Sequence, residues 1–399
     1  MPIDVVATLA DLVAIPSVNP MGRGLTGPEF FEHRVTDYLE EFFRSAGLPW
    51  QRQPVEPLRD NIFARLDGDI PPERGGPLVL FEVHQDTVPV DGMTIPPWRP
   101  DVREGRLYGR GSCDIKGGMA AMLGALVRLA EERPRDRPTL VLACTVNEEH
   151  GYTGALALPK MWQNPPSAGL LPRRPDVAVV AEPTNLDVVV AHKGAIRWRL
   201  LTRGRAVHSS QPQLGDNAVY RMARVLLALE RYAKEFCPTL GEHPLCGRVT
   251  LSVGTIHGGL SVNTVPDECA IEIDRRLLPG ETGETARQQV IDYLREALGP
   301  DSAHVEHENQ FLYGPPLPDS NNAALAEKLA SAAAGVRGTC RQIGVPFGTD
   351  AAAISAAGVP SVVFGPGSIS QAHTADEWVP LDELTAASEI LYRFVSQGF

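Results

Sequence analysis

Apolar residues recur along this chain with two different periods. Over residues 4–15 they fall at helical spacing (Val5, Val6, Leu9, Leu12, Val13) and stop at Pro16. Residues 28–46 repeat the pattern, with Pro28 at the start and Gly47 just past the end. Short apolar runs of strand type come next, NIFARL from 61 and LVLFEV from 78. A glycine-punctuated loop, GRGSCDIKGG (109–118), then opens onto MAAMLGALVRLAEE, whose apolar stripe predicts a helix. Two more apolar runs, TLVLACTV (139–146) and VAVVAE (177–182), predict buried strands. The alternation of strand and helix predicts an α/β fold built on a doubly wound, mostly parallel sheet.

The pattern changes after Lys193. Strand-like AIRWRLLTRG, a helical stretch over 217–234, the strands VTLSVGTI and CAIEIDRR, and a helical stretch over 284–297 make an α+β unit. The Pro-rich FLYGPPLP (311–318) reads as a linker back to the first domain, completed by a helix over 322–333, the strand SVVFG (361–365) and a helix from Leu381. The expected organisation is a first domain from 1–192 and 309–399, interrupted by an inserted domain over 193–308.

With 399 residues the chain exceeds what one core usually organises, in keeping with two domains. A formal charge of −12 without a basic run argues against nucleic acid or an anionic membrane as partner. The start, MPIDVVATLADLV, lacks the positive stretch and cleavage site of a secretory leader, and no apolar run is long enough to span a bilayer. A cytoplasmic location is expected. The six cysteines, at 113, 144, 237, 246, 269 and 340, show neither a C-x-x-C pair nor zinc-finger spacing. Any metal must be held by imidazoles and carboxylates, the donor set of hydrolytic sites.

In parallel sheets ligands bind beyond the carboxyl ends of the strands. LVLFEV is followed by His84 and Asp86, which leave the same face if the extended backbone persists. TLVLACTV leads to Asn147, Glu148 and Glu149; VAVVA ends in Glu182; SVVFG leads to His373; and Asp114 stands in the glycine loop before a helix. Singly each of these is more often a solvated loop residue, but together at one edge they suit two divalent ions sharing an Asp, with Zn²⁺ the best fit and Mn²⁺ or Co²⁺ also compatible. Such a pair acidifies a shared water and polarises a carbonyl. On extended backbone Glu148 and Glu149 point apart, so one ligates while Glu148 faces the water as candidate general base.

On these residues the chain resembles the acetylornithine deacetylase and succinyl-diaminopimelate desuccinylase family of dinuclear metalloamidases, which includes aminoacylases and glutamate-releasing carboxypeptidases. The matching stretches are VHQDTVP, GRGSCDIKGGMAAML, NEEHGYTGA, AEPTNLDVVVAHKG, GRAVHSSQP, GGLSVNTVPDEC, DRRLLPGE and FGPGSISQAHTADEWV. The resemblance implies that His84 and Glu182 hold one ion, Glu149 and His373 the other, and that Asp114 bridges both. It further implies that Glu148 is the base, that Asp86 supports His84, and that the 114–115 peptide is cis. His208 matches the residue that stabilises the oxyanion, against the plainer reading of a surface His. Asn263 and Arg276 match positions binding the substrate carboxylate, although Arg276 equally suits an ion pair with Glu272 or Asp274. The loop 365–368, with Gly365 and Gly367, either presents backbone N–H groups to the substrate or is a tight turn. The resemblance also implies a homodimer through the inserted domain.

Glu182 leans towards the deacetylase, desuccinylase and carboxypeptidase branches, and EPTNLDVVVAHKG and GPGSISQAH look most like acetylornithine deacetylases. The expected substrate is an N-acyl amino acid, N-acetylornithine first, with an N-succinyl substrate or a dipeptide as alternatives. The Pro-rich stretch over 158–176 is longer than that pattern leads one to expect and bears on the pocket mouth. Two readings from other classes are weaker. GRGSCD as a nucleotide-binding turn lacks the third glycine, and no P-loop or G-x-S-x-G is present. A non-catalytic binding protein on this scaffold is disfavoured because every ligand and the base are retained.

Overall fold

The computed structural model describes residues 3–163 and 169–398, so part of the Pro-rich stretch, 164–168, lies outside the described residues. Contacts divide the chain into two units, Met1–Val190 with Asp319–Ile343 and Thr349–Phe399, and Ala191–Pro318 with Gly344–Gly348.

The first unit is organised by an eight-stranded sheet. In spatial order its strands are Trp50–Glu56, Arg59–Leu66, Thr139–Thr145, Leu78–His84, Val177–Val180, Ser361–Val363, Val188–His192 and Gln342–Val345. The four from Thr139–Thr145 to Ser361–Val363 run parallel, and antiparallel strands flank them. Every residue of Leu78–His84 and Thr139–Thr145 is buried, so both faces of the sheet are covered. On one face Val79, Phe81 and Val83 join Leu140, Leu142 and Cys144 in a cluster with the helices Val5–Val13, Lys116–Glu132, Ala323–Arg337 and Leu381–Ser396. Phe81 stacks on Phe394 with ring centroids 6.4 Å apart. The first of these helices is started by Asp4, whose carboxylate accepts from the N–H groups of Val6 and Ala7.

The second unit has a four-stranded antiparallel sheet in the order Thr250–Gly258, Glu268–Leu277, Gly194–Arg203, Val305–Gly314. Its core joins Ile196, Trp198, Leu200, Ile271 and Ile273 to Met222, Val225 and Leu229 of helix Ala218–Arg231 and to Val290 and Leu294 of helix Gly283–Leu298.

Two readings of the sequence need correction here. Residues 309–318, assigned to the first domain as a linker, belong to the second unit, because Val305–Gly314 pairs along Gly194–Arg203. That strand lies at the sheet edge and is mostly exposed, with two register shifts, so it lacks the apolar alternation that marks a strand. The second helix begins at His33, not at residue 28, since the preceding segment bridges Val18 to Phe30. Among the described residues no helix is long and apolar enough to cross a membrane.

Candidate active site

Register is what gathers the candidate residues. His84 lies opposite Thr145, and Glu82 opposite Val180, so the strands end level with one another. The turn after Thr145 therefore brings residues 147–149 beside His84, and Glu182 follows Val180 to the same edge. Asp114 reaches it just before helix Lys116–Glu132, through a cis peptide bond to Ile115, and His373 from the loop after Ser361–Val363.

One donor atom each of His84, Asp114 and Glu182 lies within 4.8 Å of the others, and the same holds for Asp114, Glu149 and His373. Asp114 belongs to both groups: its Oδ1 is 3.2 Å from His84 Nε2 and its Oδ2 3.4 Å from His373 Nε2. Glu149 Oε2 lies 3.3 Å from the same His373 nitrogen. Glu148 stands outside both groups. His84 Nε2, Asp114 Oδ1 and Glu149 Oε1 are buried without a hydrogen-bond partner, a condition that costs roughly 1–3 kcal/mol per group unless a ligand engages it. Two imidazoles and three carboxylates around such orphaned atoms fit a pair of divalent cations.

The electrostatics carry the same demand for positive charge. Burial would lower the His84 pKa, but Asp114 and Asp86 outweigh it and raise it well above the usual range. Asp114 and Glu149 push His373 up to about 10. Burial raises Glu148 and Glu182 well above the ordinary carboxylate range and, with the charge of Asp114, takes Glu149 to about 7. For Asp114 burial acts upward too, yet His373 and His84 prevail and hold it below its usual value.

Behind the donors lies a buried polar scaffold. The main-chain carbonyl of Asp86 is 3.0 Å from His84 Nδ1 and accepts its N–H, which turns the Nε2 lone pair outward. The Asp86 carboxylate accepts from the N–H groups of Glu148 (3.1 Å) and Glu149 (3.2 Å) and from Asn19 Nδ2 (2.7 Å). Glu377 holds the Asp114 loop. One oxygen accepts from Arg110 Nη1 (2.6 Å) and Gly111 N (3.0 Å), the other from Cys113 N (2.9 Å) and Asp114 N (3.0 Å). Neither Glu377 nor Asn19 stands out in the sequence, because a carboxylate serving distant backbone donors has no period or spacing. Their only signal is position, Glu377 four residues past His373 and Asn19 just after the first helix.

The glycines behave differently from one of the two expectations. Gly365 N–H donates to Thr184 Oγ1 (3.1 Å) and Gly367 N–H to Glu383 Oε2 (2.9 Å), so both are spent inside the protein. Gly365 also packs where a Cβ would come within 2.6 Å of the Glu182 carbonyl oxygen.

His208, Asn263 and Arg276 belong to the second unit. His208 and Asn263 are both exposed; His208 bridges Thr264, the residue after Asn263, and Ser209 N donates to Asn263 O at 2.9 Å. Ser210 N donates to His208 Nδ1 at 3.2 Å, which leaves the ring proton on Nε2. Arg276 forms a two-point pair with Asp274, at 2.8 and 3.2 Å, and Asp274 also receives Arg197 at 2.7 Å.

Residues 80–397 match the description "Peptidase family M20/M25/M40". An acetylornithine deacetylase of Myxococcus xanthus is 33% identical over 400 residues, covering 98% of this chain and 96% of that protein. Among solved structures, an M20 family metallo-carboxypeptidase from Sulfolobus solfataricus superposes with a TM-score of 0.76 at 18% identity, covering 99% of each chain. A dinuclear metal binding peptidase of the M20 family from Bacillus subtilis does so with a TM-score of 0.67 at 17% identity, covering 98% of this chain and 97% of that one. The chain belongs to peptidase family M20/M25/M40, a family of metal-dependent hydrolytic enzymes.

Proposed function

We propose that this enzyme hydrolyses the amide bond of an N-acyl amino acid, with N-acetylornithine as substrate, using two divalent cations, zinc first. The observation that carries the reading is the pair of donor groups sharing Asp114, three of whose buried atoms have no hydrogen-bond partner. His84 and Glu182 would hold one cation, Glu149 and His373 the other, with Asp114 between them. When bound, such a pair supplies Lewis acidity to a substrate carbonyl and a water. Glu148, beside both groups but in neither, takes a proton from the attacking water at its carboxylate and returns it to the leaving nitrogen. Burial raises its pKa, which makes its carboxylate a stronger proton acceptor than an exposed one. Asp86 keeps His84 in the tautomer that presents Nε2. His208, with its proton on Nε2, is assigned the oxyanion, and Asn263 the substrate carboxylate, which Arg276 joins only by giving up part of its pair with Asp274.

The choice of substrate rests on the deacetylase relative matched over 98% of the chain. A cytoplasmic location agrees with six cysteines that form no disulfide. A homodimer is supported by the open sheet edge at Thr250–Gly258, flanked by exposed Tyr220, Leu227 and Ile256.

Hydrolysis of N-acetyl, N-succinyl and dipeptide substrates, compared by kcat/KM, tests the reading. N-acetylornithine should lead; a preference for N-succinyl substrates or dipeptides moves the enzyme to another branch of its family. Metal analysis should find two equivalents per chain that a chelator removes together with activity, and a chelator-insensitive enzyme overturns the proposal.

A further inference from the structure

The turn that carries Glu148 and Glu149 is held from behind by residues far away in the chain. Asn147 opens it in a left-handed conformation, φ +62°. Three consecutive N–H groups are pinned: Asn147 N to Glu32 Oε1 (3.1 Å), then Glu148 and Glu149 to the two oxygens of Asp86. Asn19 ties these anchors together, its Nδ2 donating to Asp86 Oδ2 (2.7 Å) and to Asn147 Oδ1 (2.9 Å). Arg59 closes the network from strand Arg59–Leu66. Its Nη1 donates to Glu32 Oε1 (2.9 Å) and its Nη2 to Asn19 Oδ1 (3.4 Å), while its guanidinium lies 5.1 Å from the Phe31 ring centroid.

All of this is out of water. Asn19, Glu32 and Asp86 are fully buried and Arg59 is 3% exposed. A guanidinium buried this deeply between the Glu32 carboxyl and the Asn19 amide is expensive to desolvate, and a fold needing only stability does as well with apolar residues. Its planar fork does something an apolar residue cannot: it fixes Glu32 and Asn19 relative to each other, and through them both anchors of the turn.

We infer that Arg59, acting through Glu32 and Asn19, is a positioning residue that sets the direction of the Glu148 carboxyl in the hydrolytic step. The inference rests on the reading of Glu148 as the base. Arg59 touches neither substrate nor any reacting atom, so its influence must pass through the backbone of 147–149. A shift there of about 1 Å costs on the order of 100-fold in rate.

Arg59→Lys keeps the charge but replaces the fork by a single point donor that cannot serve both partners. It should lower kcat about 10- to 100-fold at nearly unchanged KM, with two metal equivalents retained and the circular dichroism spectrum preserved. Combined with Glu148→Gln, it should change the residual rate by less than about threefold, because its effect runs through a group already removed. Glu32→Gln keeps an acceptor for Asn147 N–H while weakening the grip of Arg59, and should behave the same way. It decides the matter if Arg59→Lys does not fold. A kcat per metal-loaded molecule within about twofold of the parent overturns the inference, as does an undiminished loss in the Glu148→Gln background. Glu148→Gln alone with parental turnover would instead sink the assignment of the base.

Discussion

Replacing the Glu377 carboxylate by its amide, Glu377→Gln, changes little in shape but much in bonding. The carboxylate accepts four hydrogen bonds, two at each oxygen, from Arg110, Gly111, Cys113 and Asp114. An amide has one accepting oxygen, so its NH₂ must face two donors whichever way it turns. In either orientation Arg110, a guanidinium only 3% exposed, loses its counter-charge; if the NH₂ faces Cys113 and Asp114 their two buried N–H groups also lose their acceptor, and if it faces Arg110 and Gly111 those two donors do. Removing the partner of a buried charge costs about 3–5 kcal/mol, and this applies to both orientations, so a loss of at least about 3 kcal/mol is expected. Burial already raises the Glu377 pKa against the pull of Arg110, so the parent carboxylate is held under load. Urea unfolding of the chelator-treated protein measures this loss without the contribution of bound metal. Because Asp114 rides on the same loop, metal titration should also show weaker binding in the variant. A loss below about 1 kcal/mol together with unchanged metal affinity would refute the view that Glu377 holds this loop.

Further outcomes can be checked independently. Glu148→Gln should cut kcat by about 10²- to 10⁴-fold while both metals stay bound, as read by metal analysis on the purified variant. Gly365→Ala puts a methyl within 2.6 Å of the Glu182 carbonyl oxygen, and should cost about 1–3 kcal/mol and weaken metal binding; a neutral effect would mean the two backbones can separate. Burial pushes His192 down to about 4 in the folded protein, against about 6.5 in the unfolded chain. The unfolded state then binds the extra proton between these values, so the contribution of His192 is complete above about pH 6.5 and is lost as pH falls towards 4, up to roughly 3 kcal/mol. His192→Asn should flatten the slope of unfolding free energy over that window, and an unchanged slope would count against it.

The parallel strands and the candidate metal-holding residues were readable because they share one grammar: a short apolar run, then a polar residue at its carboxyl end. Register does the rest, since His84 opposite Thr145 leaves little freedom for the turn that carries Glu148 and Glu149. The strand Trp50–Glu56 escaped that grammar because it carries Pro54 and is only half-buried. Val305–Gly314 escaped because an edge strand keeps its polar side chains in water. Arg59, Glu32 and Glu377 escaped for a different reason. Each is a charge that folding buries against partners 27 or more residues away, as in Arg59 to Glu32 and Arg110 to Glu377, and in sequence it looks like any surface charge. The glycine loop at 365–367 left two readings open, and only the partners of its N–H groups separate them.

The strand Ser361–Val363 sits between Val177–Val180 and Val188–His192, two segments made long before it. During synthesis the growing polypeptide must therefore keep a slot open in its sheet until Ser361–Val363 emerges. A ribosome that stalls before that point displays Val177–Val180, almost entirely apolar, as an unpaired edge able to recruit strands from neighbouring nascent chains. Truncation before Ser361 should accordingly yield insoluble protein rather than a smaller working enzyme.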